Sequence, residues 1–190
     1  MCRGAVLVED ARYNFRMNPI VYGQIQGFLL AMNILNSDMA QQTENCCEEF
    51  TFYHVPKTGY ILTSLVNYIH QRINELSPGR EWIGYPQLEP VHKWEEVMLA
   101  KLNGMFFFSF QPVAAFDPAV TLEEPSQCAS EFLALLKQLF DESDIKVWSL
   151  KWSKFDRYAS ETYPWSVAYH NDYVFECETE IYHLTLIYTD

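Results

Sequence analysis

The last run of the chain, Ile181 to Tyr188, alternates so strictly that an extended backbone would set Tyr182, Leu184, Leu186 and Tyr188 on one side and Ile181, His183, Thr185 and Ile187 on the other. A strand with an unbroken apolar face must bury that face, and its backbone groups need neighbouring strands. Two further aromatic and β-branched runs precede it, Ser166 to Tyr169 and Tyr173 to Glu176, separated by His170-Asn171-Asp172 and by Cys177-Glu178-Thr179-Glu180. Runs of this kind between turn-forming residues predict an antiparallel meander. Ile145 to Trp152 adds a strand after a bulge, with Ile145 and Val147 on one side and Trp148, Leu150 and Trp152 on the other.

The earlier part of the chain carries helical spacing instead. Asn18-Pro19 is a cap followed by proline at the first helical position, and Val21, Ile25, Phe28, Leu29, Met32 and Leu35 continue an amphipathic helix expected to end near Asn36. Leu62, Leu65, Ile69, Ile73 and Leu76 mark a second helix over residues 60–76, stopped by Ser77-Pro78-Gly79. A short helix over His92 to Asn103 is closed by Gly104, and a third long helix starts at Pro125 or Ser126 with Phe132, Leu133, Leu136, Leu139 and Phe140 as its core stripe. Phe50 to Val55 reads as a strand ended by Pro56, Ser77 to Pro90 and Pro112 to Pro125 as loops, and the continuous apolar run Met105 to Phe110 as a central strand buried on both faces.

Helices early and strands late give an α+β fold. The expected architecture is an antiparallel sheet, made of the C-terminal meander plus a central strand near 105–110, with three main helices packed on one face. With 190 residues and no internal repeat or linker, a single domain over 1–190 is expected. Residues 1–16 form either a loosely attached arm or an edge strand, alternatives the sequence leaves open.

Five cysteines, two of them the adjacent Cys46 and Cys47, make no even disulfide framework and read as reduced thiols. Glu9 and Asp10 follow the short apolar Gly4 to Val8 stretch immediately, and no later run reaches the length of a membrane span. These features predict a cytoplasmic chain with no membrane partner.

The formal charge is −12. Apart from Lys137, the segment Asp117 to Asp144 holds acids only, and no Lys or Arg follows Tyr158. Such a field repels nucleic-acid phosphate and draws a cationic protein. Lys146, Lys151, Lys154 and Arg157, interleaved with Trp148, Trp152 and Phe155, are too few to reverse this, so no nucleic-acid partner is expected.

Chemistry leaves little trace. The sequence lacks G-x-G-x-x-G, the P-loop pattern and the G-x-S-x-G elbow. Carboxylates around Cys46 and Cys47 suppress their thiolates. His170, Asp172, Cys177 and His183 approach one another across the meander, but without metal-ligand spacing, so neither metal nor cofactor is expected.

The favoured reading is therefore an acidic binding protein, more a non-enzyme than an enzyme. It would neutralise a basic protein, as an immunity protein does a toxin or an inhibitor does a nucleic-acid enzyme. Its expected contacts are Glu123, Glu124, Glu131, Asp141, Glu142, Asp144, Tyr169, Asp172, Tyr173, Glu176, Glu178 and Glu180. The alternative is a small enzyme pairing His54, His70, His92 or His183 with a carboxylate, in a pocket lined by residues such as Trp82, Tyr85, Trp94 and Trp165.

Overall fold

A computed structural model describes residues 18–43, 47–76, 86–106, 126–140, 144–152 and 167–189. In chain order these form α1 (Pro19–Thr43), β1 (Cys47–Pro56), α2 (Ile61–Leu76), β2 (Pro86–Pro90), α3 (Trp94–Met105), α4 (Gln127–Leu139), β3 (Lys146–Trp152), β4 (Val167–Glu176) and β5 (Glu180–Thr189). The fold is α+β. The five strands make one antiparallel sheet in the order β1-β5-β4-β3-β2.

The alternation of the last run is realised in β5, which is buried on both sides. Tyr182, Leu184 and Leu186 join a large cluster with α1, α3 and α4, while Ile181 joins Val55, Leu65, Leu150 and Val174 beneath α2. Three helices thus cover one face of the sheet and α2 the other, where the sequence suggested helices on one face alone. The second apolar stripe of β5 and the stripe of Val55, Leu150 and Val174 require that second cover.

Aromatic rings dominate the larger cluster. Phe52 stacks on Tyr182 with centroids 5.5 Å apart, Phe140 stacks on Phe175 at 5.0 Å, and Trp94 meets Phe175 edge-on at 5.8 Å. Phe28, Phe106 and Phe132 close the space between α1, α3 and α4 at 5.4–5.8 Å.

Local signals account for the starts of α1 and α4. Asn18 Oδ1 accepts from the backbone N–H groups of Ile20 and Val21, and Ser126 Oγ accepts from that of Ala129. Buried Asn103 then accepts from the Ser126 N–H at 2.7 Å, which ties the end of α3 to the start of α4.

Several boundaries differ from expectation for identifiable reasons. Helix α1 runs on to Thr43, since no Gly or Pro stops it after Asn36. Pro86 to Pro90, expected in a loop, pairs with β3 at the sheet's edge, the one place a strand tolerates proline. Gly104 lies inside α3. Met105 ends that helix, and the Phe106 N–H bonds to the Leu102 carbonyl at 2.9 Å. A fully apolar run does not distinguish a buried helix end from a buried strand. Residues 107–110 lie outside the described residues, and the sheet's centre is β4. His170-Asn171-Asp172, expected as a turn, sits within β4, so two of the expected runs are one strand with a register shift between Val167 and Tyr169.

The free edge of β1 is closed by α1. Asn33 brackets Phe50, its Nδ2 donating to the Phe50 carbonyl at 2.9 Å and its Oδ1 accepting from the Phe50 N–H at 2.8 Å. Two and three turns nearer the N-terminus, Gln26 Nε2 and the Tyr22 hydroxyl donate to the Phe52 carbonyl, and the His54 N–H donates to the Tyr22 hydroxyl. Asn33→Ala would strand two backbone groups at once, so a loss of about 1–3 kcal/mol is expected in urea unfolding, with faster aggregation than wild type.

Candidate functional site

In β4 and β5 the register sets Asp172 opposite Thr185 and Val174 opposite His183. Alternation sends Asp172, His183 and Thr185 to the α2 side of the sheet. There Asp172 Oδ1 lies 3.0 Å from His183 Nε2 and accepts the Thr185 hydroxyl at 2.8 Å. The side chains of His183 and Asp172 are 9% and 3% exposed, so this polar group is held inside the molecule.

Cys177, the third member of the metal candidate, is buried in the opposite cluster, so the strand geometry separates it from the Asp172–His183 pair. Among the described residues no group of three or more His, Cys, Asp or Glu could hold a metal ion.

A second polar constellation lies at the end of the sheet formed by the β4–β5 turn, the end of β1 and the start of β3. Lys57 Nζ lies 3.1 Å from Glu176 and donates to the carbonyls of Cys177 and Glu178, both at 3.0 Å. Glu176 also accepts from Trp148 Nε1 at 3.3 Å. Glu180 accepts the Tyr182 hydroxyl, and His54 Nε2 stands 4.0 Å from it. Glu178 is exposed at the turn. Asp144 is exposed two residues before Lys146, which pairs with Glu176, and so belongs to the same end.

The expected contact residues are therefore distributed unevenly. Asp144, Glu176, Glu178 and Glu180 lie at the same end of the sheet, Glu176 on its α2 side matched by Lys57 and Glu180 on the other side bonded to Tyr182. Glu131 is exposed on α4 and accepts from Gln127 at 2.7 Å. Asp172 and Tyr173, each 4% exposed, point into opposite sides of the sheet and present no surface to a partner. Tyr169 pairs with Tyr188 in the β4–β5 ladder. Glu123, Glu124, Asp141 and Glu142 lie outside the described residues, as do Trp82, Tyr85 and Trp165 of the suggested pocket. Trp94, its fourth member, packs on Phe175 in the core. Of the aromatic residues interleaved with the basic ones, Trp148 is bonded to Glu176 and packed against the α2-side core.

Sequence reasoning did not find Lys57 and Thr185. Lys57 follows Pro56 in an ordinary loop, and only the pairing of Pro56 with Glu180 shows that it faces the hairpin. Thr185 gained its role from a register that depends on β4 being a single strand.

Burial around this end shifts proton affinities. It pushes the Cys177 thiol from 9.0 up to about 12, with Glu180 adding to the effect and Lys57 opposing it. The Tyr173 phenol rises from 10.0 to about 12, chiefly by burial and then by the adjacent Asp172. Both groups stay protonated in the folded chain at pH values where the unfolded chain ionises. Their contribution is fully present below about pH 9 and is lost as pH climbs towards 12. Urea midpoints measured across that window are expected to fall steadily, and a flat profile would contradict the burial of both groups.

No family model, curated protein or solved structure matches the chain. Among the described residues no helix is long and apolar enough to cross a membrane.

Proposed function

We propose that this chain is an acidic binding protein that neutralises a basic protein partner, in the manner of an immunity protein or an inhibitor of a nucleic-acid enzyme. The observation that carries the reading is the exposure of Glu178 at the β4–β5 turn and of Asp144 just ahead of β3, at the same end of the sheet, in a chain of net charge −12. Carboxylates fixed on a hairpin and a strand start are positioned by the ladder and cost little to order on binding. Their field speeds encounter with a cationic surface. Glu176 contributes less, since Lys57 offsets its charge, and Glu131 extends the field from α4.

The enzyme reading has one observation in its favour, the Asp172–His183 pair. Two features weigh against it. Both side chains are almost wholly buried, and the same Asp172 oxygen serves Thr185 as well as His183, which suits a structural network.

The test is capture by the immobilised full chain from lysate of the source cell, at low and at high salt, alongside a variant carrying Asp144→Lys and Glu178→Lys. A basic protein retained at low salt, released at high salt and lost to the variant is the expected result. Retention of no basic protein at low salt, or undiminished retention by the variant, would overturn the proposal.

A further inference from the structure

The outer side of α1 has no role in the fold described so far. Its inner faces bury Val21, Ile25, Leu29 and Met32 and seal β1, yet Ile20, Leu30, Ile34 and Leu35 stand 53–72% exposed. No Asp, Glu, Lys or Arg occurs from Met17 to Ser37, so this surface is uncharged in a chain of net charge −12. A surface helix ordinarily turns charged residues outward.

The spacing of the face is specific. Ile20, Gly27 and Ile34 are seven residues apart, and Gly23 and Leu30 repeat the same interval three residues on, the pattern of a helix–helix seam. Gly23 and Gly27 are exposed, and a Cβ added at either would meet nothing within 4 Å. Glycine weakens a helix interior, and nothing among the described residues needs the space it leaves.

We propose that this face is the seam of a homodimer in which α1 packs antiparallel against α1 of a second copy. The face is complementary to itself in that orientation. A two-fold axis level with the midpoint between residues 28 and 29 sets Gly23 against Ile34 and Gly27 against Leu30 in the same register, so that each hollow receives a bulky side chain. Opposed helix dipoles favour the arrangement. Charge selects the occupant too. A basic partner finds no carboxylate here, while two copies that repel one another elsewhere can meet on a neutral surface. A lipid surface is a poorer match, because the face lacks the basic and aromatic residues that interfacial helices use. The seam is small, so the dimer is expected to dissociate on dilution in roughly the micromolar range.

Sedimentation of the full chain over a wide concentration range tests this. Wild type is expected to move from monomer towards dimer. Gly27→Leu should weaken association at least tenfold while melting at or above the wild-type temperature, because the new side chain enters open space in the monomer but strikes Leu30 of the second copy. Adding Leu30→Ala to Gly27→Leu should restore part of the association by reopening the hollow. A wild type that stays monomeric at hundreds of micromolar, or a Gly27→Leu variant that dimerises undiminished, would overturn the proposal. Failure of the double variant to recover would overturn the antiparallel pairing. Co-sedimentation of wild type with phosphatidylcholine vesicles, without self-association, would assign the face to lipid instead.

Discussion

Phe175→Ala is expected to lower folding stability by about 3–5 kcal/mol, read as a fall in the urea midpoint at unchanged slope. Phe175 is fully buried on β4, the middle strand of the sheet. Its ring is shared by three elements: it stacks on Phe140 at the end of α4, meets Trp94 of α3 edge-on, and lies 6.1 Å from Phe52 of β1. Truncation removes the transfer free energy of a large side chain and leaves a cavity whose walls are strands and helix ends, which close poorly around a void. Phe175→Leu keeps most of the volume and is expected to lose less than half as much. Equal losses for the two variants would mean that ring geometry, and not filled volume, sets the cost.

The second large effect is expected at Asp172. Asp172→Ala removes the acceptor of the His183 ring and of the Thr185 hydroxyl inside the protein, where water does not readily replace it, and a loss of about 3 kcal/mol follows. Asp172→Asn keeps an oxygen for Thr185 and is expected to lose less. Chemical denaturation of the two variants beside wild type checks this. A loss under about 1 kcal/mol for Asp172→Ala would show that the pair does not support the fold and would strengthen the case for its chemical use.

Much of this architecture was legible because its signals are local. The caps at Asn18 and Ser126 and the alternation in β5 depend on a few neighbouring residues each. The difficulties arose where tertiary context decides. Pro86 to Pro90 becomes a strand because β3 offers it an edge, and Met105-Phe106 ends a helix although its composition suits a strand equally well. The polar residues of His170-Asn171-Asp172 suggested a turn, yet Asp172 is tolerated in mid-strand because His183 and Thr185 meet it from β5.

The candidate sites were less legible for the same reason. Charge could be summed along the chain, but summation does not distinguish the exposed Glu178 from Glu176, which Lys57 neutralises, or from Asp172, which faces inward. The outer face of α1 was visible in sequence as an uncharged stretch. Its meaning depends on which of its apolar residues the sheet leaves uncovered, and that follows only from the packing of α1 on β1.

Both margins of the sheet are shut. At β1 the side chains of Tyr22, Gln26 and Asn33 already occupy outward-pointing backbone groups, and at the other margin β2 is five residues long with proline at each end. An extended peptide seeking to join as a sixth strand would have to displace a helix on one flank or accept a ladder missing donors on the other. Among the described residues, any contact made through this sheet is thereby confined to what side chains display on its turns and on the helices that cover it. A sheet this rich in Phe and Tyr is also kept from templating its own polymerisation.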